Sequence, residues 1–101
     1  MDRKKIIYAV LRRINEGDKV FDYNDFDLSE EIYSEVLKLL IVENLIADVV
    51  EVKRIHKSYK TYRIDNAVIT LKGVQFLEEN KTFAKWYKIA KETASWIPGV
   101  G

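Results

Sequence analysis

The 101-residue chain has no cysteine, a single proline and only four glycines. Without cysteine no disulfide framework can form, and since the sequence also lacks a secretory signal we expect a cytoplasmic protein in a reducing compartment. No apolar run approaches the ~20 residues of a membrane-spanning helix, so no membrane partner is expected. The few glycines and the single proline form no linker and no glycine-rich phosphate loop, which favours one domain over residues 1–101.

The net charge of +1 gives the chain no general attraction to nucleic acid or to a membrane surface. The charges are nevertheless segregated along the sequence: residues 1–13 sum to +4, residues 14–51 to −9 and residues 52–101 to +6. Complementary faces packed within one domain would produce the same pattern. The acidic middle segment therefore does not by itself indicate a partner.

Three helices are predicted in the first half of the chain. Apolar residues at spacings of three and four over residues 3–16 indicate an amphipathic helix that Gly17 ends. Asp22 is a suitable N-cap for a short helix of one or two turns, and Ser29 for a longer helix that runs to about Glu43. We therefore expect a helix, a short helix and a second long helix in this order.

A β-hairpin is predicted next, because residues 46–55 and 59–69 are rich in β-branched side chains and flank a charged tip. Thr70 is the expected N-cap of a following helix, and residues 81–97 form a last helix that stops before Pro98. Three helices followed by a hairpin are typical of the winged helix-turn-helix, in which the hairpin is the wing. The predicted fold class is therefore α+β, winged helix-turn-helix.

Four segments of the sequence also resemble a known family. They are MDRKKIIYAVLRRINEG at the start, YNDFDLSEE in the middle, DNAVITLKGVQFLEEN after the hairpin and WIPG near the end. In this order they are similar to the YjcQ family, small winged-helix proteins of Gram-positive bacteria and their phages, over nearly the whole chain. The resemblance implies a winged-helix fold and a phage or prophage setting, and it assigns no catalytic or binding residue.

Side chains that usually carry catalysis are sparse. His56, the only histidine, lies in the predicted hairpin tip, with no cysteine and no serine nucleophile in a strained turn beside it. The acidic run from Asp22 to Asp27 does not fit an EF-hand, because neither register supplies the required glycine and the closing glutamate. Helix capping explains these acids better, and we predict no enzymatic activity, no metal site and no cofactor.

A nucleic-acid-binding wing is the main functional hypothesis, because the segment KRIHKSYKTYR (53–63) interleaves bases with aromatic residues. The candidate DNA contacts are Lys53, Arg54, His56, Lys57, Lys60 and Arg63 of the wing, with Lys38 of the second long helix. Against DNA binding, that helix carries four glutamates and one lysine, whereas groove readers usually carry basic or amide side chains. The alternative, weighted equally, is a hairpin whose charges only keep it solvated.

Apolar residues outside the expected core predict a protein interface, and for Ile41 and Val42 this holds unless the hairpin or the last helix covers them. On a helical wheel the outward face of the second long helix contains Glu31, Ser34, Glu35, Lys38, Ile41 and Val42. In the last helix, Ile89 and Trp96 widen an apolar stripe that includes Trp86 to about half of the circumference. This stripe covers either one deep groove in the monomer or, in a homodimer, a second copy of the chain.

Two functions follow from these patterns. The first is a phage- or prophage-type regulator that makes weak, salt-sensitive DNA contacts through its wing. The second is a protein-interaction module that kept the winged fold without DNA binding. In that case the acidic helix or the aromatic last helix contacts a phage or host protein.

Overall fold

The computed structural model describes residues 2–19, 21–94 and 96. Within these ranges the chain is α+β, with four α-helices, two short 3-10 helices and four short strands. The α-helices are α1 (Arg3–Asn15), α2 (Glu30–Val42), α3 (Leu71–Glu79) and α4 (Ala84–Thr93). The 3-10 helices are Tyr23–Phe26 and Lys81–Phe83, and the strands are β1 (Ile46–Ala47), β2 (Val50–Val52), β3 (Thr61–Arg63) and β4 (Val68–Ile69).

Four of the predicted helix boundaries are confirmed by their capping contacts. Asp22, Ser29 and Thr70 each accept a hydrogen bond from a backbone N–H in the turn that they precede. Gly17 follows α1 at φ +85°, and the amides of Gly17 and Asp18 donate to carbonyls in the last turn of α1. Glycine adopts this left-handed backbone without strain, which explains why α1 stops here.

The hairpin is present, but each predicted arm is two short strands rather than one. β2 pairs with β3 near the tip and β1 pairs with β4 at the base, both antiparallel. Asp48 interrupts the first arm because its φ of 61° turns the backbone, and a turn closed by the Ala67 amide on the Ile64 carbonyl (2.9 Å) interrupts the second. We call residues 50–63 the wing and residues 53–60 its tip; with them the chain has the element order of a winged helix-turn-helix.

Helix α1 lies at the centre of the core. Its residues Ile6, Ala9, Val10 and Leu11 are fully buried, and the helix contacts α2, α3 and β4. The buried side chains of the described residues form one hydrophobic cluster that also includes Phe26 and residues of α4. Both the wing and the helices therefore take their positions from a shared core.

The last helix is shorter than the predicted span 81–97. A single 3-10 turn comes first, and α4 then ends at Thr93 because Ala94 is left-handed, with φ 55°. Trp96 lies beyond α4, and residue 97 and Pro98 fall outside the described residues.

Trp96 is a core residue rather than an interface residue. It is 2 % exposed, and its ring centroid lies 5.0 Å from that of Phe26, 5.7 Å from that of Tyr87 and 5.9 Å from that of Trp86. The assignment of Trp96 to a free interface is thus corrected, because the ring is already desolvated within its own chain.

A polar cluster fixes α4 on the end of α1. The Tyr87 hydroxyl donates to Glu16 Oε1 at 2.5 Å, and Lys91 Nζ lies 3.5 Å from the same oxygen. The Arg12 guanidinium lies 4.5 Å from the centroid of the Tyr87 ring. Burial, and then the Glu16 carboxylate, raise the pKa of Tyr87 above its ordinary value. One side of α4 is therefore occupied by contacts within the chain.

Candidate interaction surfaces

The base of the wing tip is clamped onto the first residue of α2. Arg54 Nη2 donates to both carboxylate oxygens of Glu30 at 3.1 Å, and the Tyr59 hydroxyl donates to Glu30 Oε1 at 3.1 Å. The Glu30 side chain is only 21 % exposed. Arg54, which was predicted to contact DNA, is thus bound by a carboxylate of α2, the helix whose acidic residues disfavour DNA binding.

Two more predicted DNA contacts are ion-paired within the wing region. Lys60 Nζ lies 3.0 Å from Glu51 Oε1, and Arg63 Nη2 lies 3.1 Å from Asp65 Oδ2. The hydrogen bond and charge of Glu51 raise the pKa of Lys60. A backbone hydrogen bond and then the bond from Arg63 lower the pKa of Asp65. Although exposed pairs such as these stabilise a fold by only ~0–1 kcal/mol, each places a carboxylate beside a cation that DNA would need.

The outer part of the tip differs from the ion-paired part of the wing. Lys53, His56 and Lys57 are exposed and form no ion pair with any described residue. Lys57 Nζ lies 5.7 Å from the centroid of the Tyr59 ring, and His56 turns the chain at φ 71°. Between these residues stands Ile55, an apolar side chain that is 83 % exposed.

The outward face of α2 agrees with the prediction at its charged residues, but Ser34 is buried and Ile41 is partly buried against the core. Glu31, Glu35 and Lys38 are exposed, and Glu35 pairs with Arg3 of α1 at 3.0 Å. Ser34, which the helical wheel places outward, is only 3 % exposed because strand β3 packs against α2 here. Among the described side chains its Oγ is a buried polar atom without a hydrogen-bond partner.

The cleft between α2 and the wing encloses about 370 Å³ and is lined by charges of both signs. Glu31, Lys38 and the Glu51–Lys60 pair all line it, together with Tyr62. Lys38 therefore faces the same cleft as the wing, as the DNA hypothesis requires. Its charge is opposed there by carboxylates.

An apolar groove opens on the other side of α2. It encloses about 350 Å³, and its apolar lining comes from Ile7, Leu39, Leu45 and Phe76 on three helices and the turn after α2. Four polar side chains line its rim: Glu43, Lys72, Gln75 and Glu79. None of these four has a hydrogen-bond or ion-pair partner among the described side chains. We call this feature the apolar groove.

The turn after α2 positions one wall of the groove. The Leu45 amide donates to the Leu40 carbonyl at 2.8 Å and the Asn44 amide to the Ile41 carbonyl at 3.0 Å. This is the Schellman pattern, with Asn44 left-handed at φ 58°. The pattern turns Leu45 back toward the core, where it is 5 % exposed.

The start of α3 is fixed against the same turn. The Thr70 hydroxyl donates to the Asn44 carbonyl at 2.6 Å, and the Thr70 amide donates to the Leu45 carbonyl at 3.0 Å. Gly73 is buried here, and a Cβ at this position would lie 2.3 Å from the Leu45 carbonyl oxygen and 2.6 Å from Ile69 Cγ1. Only glycine allows α3 to approach closely enough to form the groove.

The remaining predicted interface residues are not brought together. Ile41 and Trp86 are partly buried against the core, whereas Val42 is 61 % and Ile89 51 % exposed. Ile89 is on α4, while Val42 ends α2 beside Glu43 of the groove rim. Of these residues, Val42 alone adjoins a residue that lines the groove.

Sequence reasoning missed the groove. Leu39 is half-buried and lies in the groove, four residues before the rim residue Glu43. The available signal was that Leu39 and Phe76 are each followed at helical spacing by an acidic residue, Glu43 and Glu79. That signal cannot be separated from ordinary core patterning without the relative positions of α1, α2 and α3.

Membrane-spanning helices and metal-binding clusters are both absent from residues 2–19, 21–94 and 96. In that part of the chain every helix is too short or too polar to cross a bilayer. No three histidine, cysteine or acidic side chains there are grouped so that they could hold a metal ion. Asp22 and Asp25 instead cap the first 3-10 helix, with Asp22 Oδ1 accepting from the Asn24 amide at 2.8 Å and Asp25 Oδ2 from the Asp22 amide at 2.8 Å.

The fold and these surfaces define a small α+β protein with winged-helix element order, a largely ion-paired wing and an open apolar groove. The chain belongs to the YjcQ family, described as "YjcQ protein", whose sequence profile matches residues 4–96. It is 32 % identical over 97 residues to "Uncharacterized protein YjcQ" of Bacillus subtilis (strain 168), an alignment that covers 96 % of this chain and 99 % of the relative. No solved structure matches the chain.

Proposed function

We propose that this protein is a non-enzymatic protein-interaction module that uses its winged-helix scaffold to present the apolar groove. The observation that carries the proposal is the groove itself, an apolar recess of about 350 Å³ whose rim charges have no partner among the described residues. A small apolar recess with a few polar groups at its edge is the usual form of a binding site. A partner would bind by inserting an apolar side chain.

The ion pairs of the wing favour a protein-interaction function over DNA binding. Three of the five Lys and Arg side chains between residues 50 and 63 are paired with carboxylates of the same chain. DNA would have to compete with those carboxylates or accept their repulsion, since phosphate neutralisation supplies most of non-specific affinity. The acidic face of α2 adds to that repulsion.

The family resemblance suggests a phage or prophage setting, so the proposed partner is a phage or host protein. Nothing in the groove requires a nucleotide, a metal or a cofactor. The proposal therefore assigns binding rather than turnover.

The groove can be tested with two defined probes in one NMR experiment. An amphipathic peptide of leucine and lysine, titrated into ¹⁵N-labelled protein, should shift the amide signals of Ile7, Leu39 and Phe76. A short random DNA duplex in 50 mM salt should leave the wing signals unchanged. Leu39→Glu places a charge in the groove without touching the buried core, and should abolish the peptide shifts.

The matched control for that variant is Ile89→Glu, the same kind of change at an exposed apolar residue on α4. It should leave the peptide shifts intact. Peptide binding that survives Leu39→Glu but disappears in Ile89→Glu would move the interaction surface to α4 and overturn the assignment to the groove.

A second function, weak DNA contact by the tip, is favoured by Lys53 and Lys57, which have no carboxylate partner among the described residues. Fluorescence anisotropy on random duplex DNA in 50 mM salt tests this function. Binding by the wild type that disappears in Lys53→Ala/Lys57→Ala would favour it. No binding in low salt would remove it.

A further inference from the structure

We propose that the wing tip of one copy of this chain docks into the apolar groove of a second copy, with Ile55 as the inserted side chain. The inference rests on the proposed function, because it gives the same groove a second copy of the chain as its partner in place of a phage or host protein. It also replaces the α4 homodimer by a contact between two different surfaces.

The wing tip has the form of a preorganised anchor. Ile55 is 83 % exposed, more than any other large apolar side chain in the described residues. A single exposed apolar residue is common on protein surfaces. Ile55 differs because two ion pairs restrain the tip that carries it: Arg54 pairs with Glu30, and Lys60 pairs with Glu51. Holding an anchor in place before binding lowers the entropic cost of association.

The charges of the two surfaces are complementary. The tip carries Lys53 and Lys57 around Ile55, both without an ion pair among the described residues. The groove rim carries Glu43 and Glu79, also unpaired within the described residues, with Lys72 as one opposing charge. Complementary charges at an interface rim mainly fix orientation and speed association.

The volumes are also compatible. The groove encloses about 350 Å³, which is room for one branched aliphatic side chain and the backbone that carries it. The walls that Ile55 would meet are aliphatic or aromatic: Ile7, Leu39, Leu45 and Phe76. Insertion would place the Ile55 side chain against these apolar walls and reduce its exposure to water.

Docking between two different surfaces allows two assemblies. If both wings of a pair insert into each other's grooves, the result is a closed dimer; otherwise the contacts propagate into open chains. One inserted side chain with a charged rim covers less area than a standard stable interface. Association should therefore be weak and visible only at high protein concentration.

Sedimentation velocity over a series of concentrations up to the millimolar range tests the contact. The wild type should self-associate, and Ile55→Glu and Leu39→Glu should each weaken association by about tenfold or more. Ile89→Glu should associate like the wild type. Far-UV circular dichroism of each variant checks that the fold is retained.

A mixing experiment distinguishes this contact from other kinds of dimer. Ile55→Glu keeps an intact groove and Leu39→Glu keeps an intact tip, so an equimolar mixture of the two variants should associate more strongly than either variant alone. A contact of groove with groove, or of tip with tip, would give no recovery. Failure to recover in two folded variants would overturn the proposal.

Three other outcomes would also overturn it. They are a wild type that stays monomeric at millimolar concentration, association that neither variant weakens, and association lost only in Ile89→Glu. If the wild type is monomeric and binds DNA, and Ile55→Glu no longer binds DNA, the tip is a DNA contact instead. Peptide binding by the groove of a monomeric wild type would sink self-association and leave the proposed function standing.

Discussion

The two sides of helix α2 differ in how their charges and apolar groups are used. On the wing side, Glu30, Glu51 and Asp65 pair with Arg54, Lys60 and Arg63, so the most conspicuous basic segment of the sequence is largely satisfied within the fold. On the other side, apolar residues spaced far apart in the sequence converge on a groove whose rim charges have no partner among the described residues.

This difference teaches that a conspicuous charged segment is a poor guide to a site until its internal partners are known. The eleven residues from 53 to 63 look like a nucleic-acid contact when read alone. In the fold, α2 and the flanking strands supply counter-charges at about 3 Å. The apolar groove has no comparable sequence signature because its lining comes from α1, α2, α3 and the turn after α2.

The largest expected effect comes from Trp96→Ala, which damages the aromatic part of the shared core. Trp96 is 2 % exposed and packs against three aromatic rings, so its removal leaves a cavity that should cost about 3–5 kcal/mol of unfolding free energy. Urea denaturation measures this cost. A loss below about 1 kcal/mol would contradict the core assignment of Trp96 and return it to the list of interface residues.

Gly73→Ala tests the groove side alone. The added Cβ would meet the Leu45 carbonyl oxygen and Ile69 Cγ1, so either α3 or the turn after α2 must shift, at a cost of about 1–3 kcal/mol. Amide chemical shifts should move around Leu45 and Phe76, while those of the tip stay in place. The control is Leu71→Ala at a site that is 76 % exposed, where urea denaturation should detect almost no change.

The raised pKa values of Tyr33 and Tyr87 predict a loss of folding stability at alkaline pH. Burial raises the pKa of Tyr33, with Asp22 and Asp25 adding to the effect, and burial and Glu16 raise the pKa of Tyr87. Since both folded pKa values lie above the unfolded one, their contribution is fully present below about pH 10 and is lost as the pH rises further.

Urea denaturation of the wild type and of Tyr33→Phe/Tyr87→Phe, from neutral pH to above pH 10, checks this prediction. The wild type should lose stability more steeply above about pH 10, because its unfolded chain ionises at these two positions at a lower pH than the folded chain does. Equal slopes for the two proteins would contradict it.

The wing clamp should have the smallest effect on stability. Glu30→Gln removes the charge that Arg54 and the Tyr59 hydroxyl share, and a partly exposed pair of this kind stabilises a fold by about 1 kcal/mol or less. Thermal denaturation should register only a small shift, and hydrogen exchange at the tip should increase. A loss as large as that of Gly73→Ala would mean that the wing supports the core.

Local chemistry was predictable from the sequence. Asp22, Ser29, Thr70 and Gly17 each mark a helix boundary through contacts within a few residues, and all four predictions are confirmed. The α+β class and the helix-to-hairpin order followed from helical periodicity, β-branched composition and capping residues.

Features that depend on distant partners were not predictable. Ser34 lies on the outward face of an isolated α2, but the wing covers it. Trp96 was placed in a helix because nothing in the sequence marks the left-handed turn at Ala94. The ion pairs of the wing depend on α2 and on strand register, which no single segment specifies.

Fluorescence anisotropy on random duplex DNA tests the central claim most directly, using the wild type and the variant Glu30→Gln/Glu51→Gln/Asp65→Asn. If these carboxylates neutralise the wing, the wild type will not bind in 50 mM salt and the variant will bind. In the variant, four neutralised phosphates would give about a hundredfold loss of affinity between 50 and 200 mM salt. Wild-type binding with that salt dependence, and no gain in the variant, would contradict the claim.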